Sequence, residues 1–161
     1  MPEFFKDLIN NLQKIADLEI NDVAFKIASE KEVKDLVIRL NTEGQLFELG
    51  EDSLGNKLQG KTILKDGQYS PFTIQEKISK GQKVKNPTLQ DTGEFYSSFV
   101  VVPFRGGFTI NANPIKGNTN LFDELGIDIL GLNDENLGIL SEVYKDKVLE
   151  EIRKRIGSGL L

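Results

Sequence analysis

The sequence has 161 residues, of which 39% are hydrophobic and 28% are charged, as expected for one globular domain. It contains neither cysteine nor histidine, which excludes disulfides, thiolate nucleophiles, cysteine-ligated zinc and histidine general bases. The net charge of −5 argues against a general nucleic-acid-binding protein, and no apolar run approaches the ~20 residues of a membrane span. The N-terminal segment lacks the basic and apolar regions of a signal peptide, so we expect synthesis and folding in a cytoplasm.

Two helices are predicted before Gly50. Residues 3–16 carry apolar side chains at helical spacing, which predicts an amphipathic helix, and residues 1–28 are expected to form an N-terminal helical arm. In residues 19–28 the apolar side chains Val23, Phe25 and Ile27 alternate as in a strand, but Asp22 could equally cap a helical turn. Both alternatives stay open. Ser29 and Glu32 are spaced as a capping box and predict a second helix that ends near Gly50. Its apolar stripe is Val33, Leu36, Val37, Leu40 and Phe47.

A polar, glycine-containing loop is predicted at 50–69, and a loop of this length is usually functional or ordered only on binding. Between Lys57 and Lys85 the sequence has seven lysines and two acidic residues, a local charge of +5. This region is either a solvated loop or a face that meets the acidic part of a neighbouring copy. Ser70 and Pro71 then predict a helix that runs through Lys80.

The segment 89–113 organises the rest of the chain. It predicts a helical turn at 91–97 and a hairpin of strands at 98–104 and 107–113, joined at Arg105, Gly106 and Gly107. At this tip, a solvated turn is a more common role for an arginine than an interface anchor. A helical turn at 121–125 follows, stopped by Gly126. The last helix is predicted to be capped by Asn133, to end at Gly157, and to bury Leu137, Leu140, Tyr144, Val148, Ile152 and Ile156.

These elements predict an α+β fold, in which several helices pack on a small antiparallel β-hairpin and a long helix closes the chain. We expect a single domain over residues 1–161, with a core at 29–157. Leu132 is placed to contact Leu137 at the start of the last helix.

Two motifs suggest catalysis but lack the surroundings that catalysis requires. Residues 55–62, GNKLQGKT, satisfy the P-loop pattern, yet neither a buried strand before it nor a long helix after it is predicted. Asp91-Thr92-Gly93 matches the signature of aspartic proteases, but its neighbours are polar and a cap for the following turn is the better interpretation. The acidic residues Glu48, Glu51 and Asp52 lack regular ligand spacing. We therefore predict no catalytic, cofactor-binding or metal-binding residues.

Several short motifs between residues 44 and 156 resemble one family. They are Gly55 with Leu58, the run YSPFT at 69–73 with Lys77, the run LQDTGEFYSS at 89–98 ahead of a hairpin, and the run ILGLNDE at 129–135 ahead of a final helix. In this order they resemble the tail-completion and virion-morphogenesis proteins of tailed bacteriophages, which lie in the neck or minor tail between head and tail.

The resemblance implies a non-enzymatic structural protein of the virion, made in the cytoplasm of the bacterial host. It implies a homo-oligomeric ring that contacts adjacent neck, portal-adaptor or tail proteins and lies near DNA in the channel, with no membrane partner. The alternative is a small protein-binding module that regulates a partner through loop 50–69. The candidate interface residues are Lys57, Lys61, Lys65, Tyr69, Asp91, Thr92, Gly93 and Arg105.

Overall fold

The computed structural model describes residues 3–16 and 20–156. Within them the α-helices are α1 (Glu3–Ala16), α2 (Ile20–Ser29), α3 (Lys31–Arg39), α4 (Pro71–Ser79), α5 (Glu94–Ser97), α6 (Leu121–Leu125) and α7 (Asp134–Ile156). A π-helix covers Leu40–Leu49 and a 3₁₀ turn covers Ile127–Ile129. Two antiparallel pairs of strands complete the fold: β1 (Val100–Phe104) with β2 (Gly107–Asn111), and β3 (Ile115–Lys116) with β4 (Thr119–Asn120). The α+β fold with a long C-terminal helix is therefore confirmed.

Residues 3–16 and 20–49 are helical except for Glu30, whose backbone is extended, and α2 resolves the ambiguity in favour of a helix over the described residues 20–28. The predicted capping box is wrong. Because α2 continues to Ser29, the Ser29 hydroxyl donates to the Phe25 carbonyl at 2.7 Å and is not free to cap α3. Glu30 takes the N-cap position without a side-chain hydrogen bond, and the Glu32 carboxylate accepts from Lys147.

The π-helix directly continues α3 and ends at Gly50, as predicted, in a left-handed conformation with φ 64°. Its wider winding places Asn41 and Gln45 side by side in the interior, where both are fully buried. Asn41 binds the Ile129 carbonyl and the Gly131 N–H, while Gln45 binds the Gly131 carbonyl and the Asn133 N–H. These two amides therefore fix the segment before α7 onto the π-helix.

Two hydrophobic clusters form the core. One joins α2, α3 and α7 to the inner face of β1 through Val23, Ile27, Val33, Val37, Val101, Leu132 and Leu140. The other gathers the π-helix, loop 50–69, α5 and α6 around Leu46, Leu58, Ile63, Tyr69, Phe95, Phe99, Leu121 and Ile129. Loop 50–69 is thus anchored on the chain's own core by Leu58, Ile63 and Tyr69, while many of its other residues are exposed.

Local start signals are confirmed at α4 and α7. Ser70 accepts from the Thr73 N–H at 3.3 Å, and Asn133 accepts from the Asn136 N–H at 3.0 Å. The predicted stripe of α7 is wrong at Leu137, which is 46% exposed. Asn136 faces the π-helix instead, where it donates to the Leu40 carbonyl at 3.1 Å, and this orientation turns Leu137 outward.

The remainder of the predicted stripe is buried or half-buried from Leu140 to Ile152. The side chain of Ile156 and residue Gly157, the predicted helix stop, lie outside what the structure describes. Among residues 3–16 and 20–156, every helix is too short or too polar to pass through a lipid bilayer.

Candidate functional site

The β1–β2 hairpin has two apolar faces. Its register pairs Val100 with Asn111, Val102 with Thr109 and Phe104 with Gly107, so these residues share the outer face. On the inner face Val101 pairs with Ile110 and is 6% exposed in the core. By contrast, Val100, Val102 and Phe104 are 54%, 45% and 49% exposed. We call these three side chains the apolar row.

The hairpin also has two free edges. Within the described residues β1 and β2 pair only with each other, while α2 and α3 contact the inner face of β1. An antiparallel pair satisfies only half of each strand's backbone groups, which leaves the outer N–H and C=O groups of both strands without a strand partner among the described residues. Such edges are surfaces on which a further strand can pair.

An apolar groove of about 550 Å³ follows the free edge of β2. One wall is the run Phe108–Ala112, and the other is formed by Phe122, Ile127, Leu130, Leu132 and Leu137. Ile127 and Leu137 are 58% and 46% exposed. The groove therefore offers apolar contacts beside unpaired backbone groups, the combination used in β-strand addition.

Arg105 lies at the hairpin tip, as predicted. The tip is a two-residue turn in which Gly106 supplies a positive φ of 99°. The Arg105 guanidinium reaches Asp22 of α2 at 2.9 Å while remaining 72% exposed. An ion pair this exposed contributes little stability, about 0–1 kcal/mol. Its effect is to hold the tip of the hairpin against α2.

The lysine-rich region is partly neutralised within the chain. Lys57 pairs with Glu51 at 2.8 Å and donates to the Leu49 carbonyl at 3.0 Å. Lys80 and Lys83 pair with other carboxylates of the chain, whereas Lys61 and Lys65 are exposed and make no ion pair within the described residues. Of the candidate lysines, these last two are the ones left for an external contact.

Tyr69 is buried, at 5% exposure, and serves the fold. Its hydroxyl accepts from the Thr88 N–H at 2.8 Å, and its ring lies in the second core cluster. In this conformation its side chain is not available to a partner.

Residues 55–62 do not have the geometry of a phosphate-binding loop. No helix begins at Lys61, and the next helix along the chain is α4 at Pro71. The Lys61 N–H, which would face a phosphate in a P-loop, instead donates to Glu124 Oε1 at 2.8 Å. A carboxylate of α6 therefore occupies the position where the motif would hold an anion.

Asp91 is an ion-pair residue rather than a helix cap. Its carboxylate accepts from Lys80 at 3.3 Å and lies 3.5 Å from Lys116, whose charge is the main cause of a lowered Asp91 pKa. Thr92 accepts from the Glu94 N–H at 3.4 Å, and Gly93 is the N-cap residue of α5 with φ 86°. The predicted capping role thus falls to Thr92, and Asp91 ties α4 to β3.

Sequence reasoning missed the apolar row, although a signal was present. A strand with one solvated face alternates apolar and polar residues, whereas Phe99–Val102 is continuously apolar. A continuous run indicates a strand covered on both faces, and this chain covers only one of them. Within the described ranges no group of acidic residues is arranged to hold a metal ion.

Comparison with protein-family models finds no match, and neither curated protein sequences nor solved structures provide one.

Proposed function

We propose that this chain is a structural component of a tailed-bacteriophage virion, which completes the neck or tail end and assembles as a homo-oligomeric ring. The observation that carries the proposal is the hairpin, which has two unpaired edges and an exposed apolar row. Helices cover the inner face of this sheet, but its strand edges have no further strand and its apolar row is exposed within the described residues, and copies of the same chain can cover both. The order of the sequence motifs between residues 44 and 156 is the second support.

The two edges differ, which favours a head-to-tail contact. The edge of β2 runs beside the apolar groove, while β1 carries the apolar row. When copies are related by rotation about an axis along the strands, β1 of one copy lies antiparallel to β2 of the next. Such a contact joins two different surfaces and closes into a ring when the rotation allows it. Adjacent neck, adaptor or tail proteins would then bind the faces of that ring.

The location is tested in purified phage particles. Quantitative mass spectrometry of intact virions should find this chain in stoichiometric amount, and electron microscopy should place it at the junction of head and tail. Particles that lack the chain, together with a host-cell pool bound to another protein, would instead favour the regulatory binding module.

The interface is tested with one substitution and a matched control. Val102→Lys places a charge in the apolar row, and Ile78→Lys places the same charge on α4, where Ile78 is 62% exposed. Because each replaced side chain is substantially exposed, both variants should fold. We expect Val102→Lys to abolish assembly in particle complementation and Ile78→Lys to retain it. Equal assembly by the two variants would refute the hairpin contact.

A further inference from the structure

A separate cleft of about 290 Å³ lies on α4, away from the apolar row. It is bounded by α4, residues 62, 63 and 69 of loop 50–69, Gln82, the segment 89–91, the β3–β4 pair and α6. Its apolar lining consists of Ile63, Phe72, Leu89, Leu121 and Leu125. Phe72 is 77% exposed, whereas Ile63 and Leu121 are buried. The cleft thus has an apolar floor and an aromatic side chain on its rim.

The cleft wall contains a buried positive charge, that of Lys77, whose residue is only 9% exposed. The Lys77 ammonium donates to Gln82 Oε1 at 3.1 Å and to the Gln90 carbonyl at 3.0 Å, and lies 4.9 Å from the centre of the Tyr69 ring. All three partners are neutral. Its third N–H has no acceptor among the described residues.

This charge lacks a counter-ion because the carboxylates of the cleft are bound elsewhere. Asp91 is held between Lys80 and Lys116, and Glu76 pairs with Lys80 at 2.9 Å. Glu124 accepts from the backbone of Lys61. Lysines are rarely buried without a charged partner, because desolvation of an ammonium is costly unless an anion compensates it.

We propose that this cleft binds a carboxylate carried on an apolar group. The carboxylate pairs with the Lys77 ammonium, and the apolar group lies against Phe72 and Leu125. A single negative charge fits better than a phosphate dianion, because Lys77 is the one lysine among the lining residues that is not already paired with a carboxylate; Lys80 and Lys116 are held by Glu76 and Asp91. The carboxylate belongs either to a small free acid or to the end of a peptide. This inference does not depend on the proposed virion role.

The test uses the full chain and the probes hexanoate and 1-hexanol, which share an apolar tail and differ in the carboxylate. In titrations followed by ¹H–¹⁵N NMR, hexanoate should shift the amide signals of residues 72–91 and 119–125. Hexanol should bind with an affinity at least about tenfold lower. A short peptide that ends in phenylalanine, as the free acid and as the amide, separates the two sources. Binding of the acid peptide in preference to hexanoate assigns a protein ligand, and the reverse assigns a small acid.

Three variants locate the site. Lys77→Met keeps an unbranched side chain but removes the ammonium, and it should weaken hexanoate binding about tenfold, the value of one charged hydrogen bond. Phe72→Ala removes an exposed side chain, so it should leave folding intact and weaken both probes. Lys65→Met, a control at an exposed lysine outside the cleft, should bind like the parent chain.

Equal affinity for hexanoate and hexanol, or unchanged hexanoate binding in Lys77→Met, would overturn the proposal. If Lys77→Met does not fold, Phe72→Ala and the probe pair still decide it. No binding of any carboxylate probe to the parent chain would also reject the site.

Discussion

The Gln45 side chain joins the π-helix to the segment that leads into α7. It is fully buried, donates to the Gly131 carbonyl at 3.1 Å, and accepts from the Asn133 N–H at 2.7 Å. Gln45→Leu preserves the volume but leaves both backbone groups buried without partners. We expect the free energy of unfolding to fall by about 2–4 kcal/mol, measured by urea denaturation.

The control is Gln75→Leu, the same substitution at an exposed position of α4. It should change the free energy of unfolding by no more than about 0.5 kcal/mol. Similar losses in the two variants would show that the buried amide network does not hold α7 to the π-helix.

Asp91 makes stability depend on pH. Lys116, the largest cause, together with Lys80, holds the Asp91 pKa below its ordinary value of 3.8. A carboxyl group with a lowered pKa in the folded state stabilises the protein at neutral pH, and that contribution is lost as the pH falls through the folded value. Asp91→Asn should therefore cost about 0.5–1 kcal/mol at pH 7, and this difference should vanish near pH 2.

The measurement compares chemical denaturation of the parent chain and Asp91→Asn across this pH range. Asp123→Asn serves as the control, because Asp123 is exposed and makes no ion pair within the described residues. A cost of Asp91→Asn that stays constant down to pH 2 would contradict the ion-pair interpretation.

The caps of α4 and α7 were predictable from the sequence, whereas the cap of α3 and the ion pairs were not. Ser70 and Asn133 each bond to an N–H three residues ahead, so the spacing of the residues contains the whole interaction. Asp91 pairs with Lys116 on another element, and the buried Lys77 ammonium contacts Tyr69, Gln82 and Gln90, all of which lie outside α4. Interactions of this second kind depend on tertiary packing, which local patterns do not encode.

At the scale of elements, the hairpin was predictable and the π-helix was not. The turn residues Arg105 and Gly106 lie between two runs of strand-forming side chains, and this local signal fixes the hairpin. The residues of the π-helix match the pattern of an ordinary helix, and the winding that buries Asn41 and Gln45 is accompanied by bonds to residues 129–133. The exposure of Leu137 likewise depends on a long-range contact, the hydrogen bond from the Asn136 side chain to the Leu40 carbonyl.

Two glycines beside and within α7 should respond in opposite ways to alanine. Gly138 lies inside the helix, and a Cβ there would meet no atom within 4 Å. Gly138→Ala should therefore stabilise the chain by about 0.5–1 kcal/mol, because alanine loses less backbone entropy on folding. Gly131 has φ 137°, and a Cβ there would lie 2.8 Å from the Ser53 Cβ.

Gly131→Ala should accordingly destabilise the chain by at least about 1 kcal/mol. Thermal unfolding of both variants beside the parent chain is the measurement. A lowered melting temperature for Gly138→Ala would mean that α7 has a packing partner at this position that the single chain does not show.

For the whole molecule, the sequence predicts the fold class but not the distribution of charge. The local charge of +5 between Lys57 and Lys85 suggested a contact with the acidic part of a neighbouring copy. In the folded chain Lys57, Lys80 and Lys83 pair internally, so less of that charge is available to a neighbour. The exposed apolar surface of the hairpin is therefore the stronger candidate for carrying assembly.

Assembly through the apolar hairpin and assembly through the lysine-rich region should respond differently to salt. Contacts between exposed charges weaken as the Debye length falls from ~10 Å at 0.1 M salt, whereas apolar burial is not screened. If the hairpin carries assembly, the oligomer should persist when NaCl is raised from about 0.05 to about 0.5 M. Sedimentation velocity at both concentrations is the measurement, with Lys61→Ser/Lys65→Ser as a variant that removes the two exposed lysines of loop 50–69 that make no ion pair within the described residues. Dissociation in high salt, reproduced by this variant in low salt, would instead assign assembly to the lysine-rich loop.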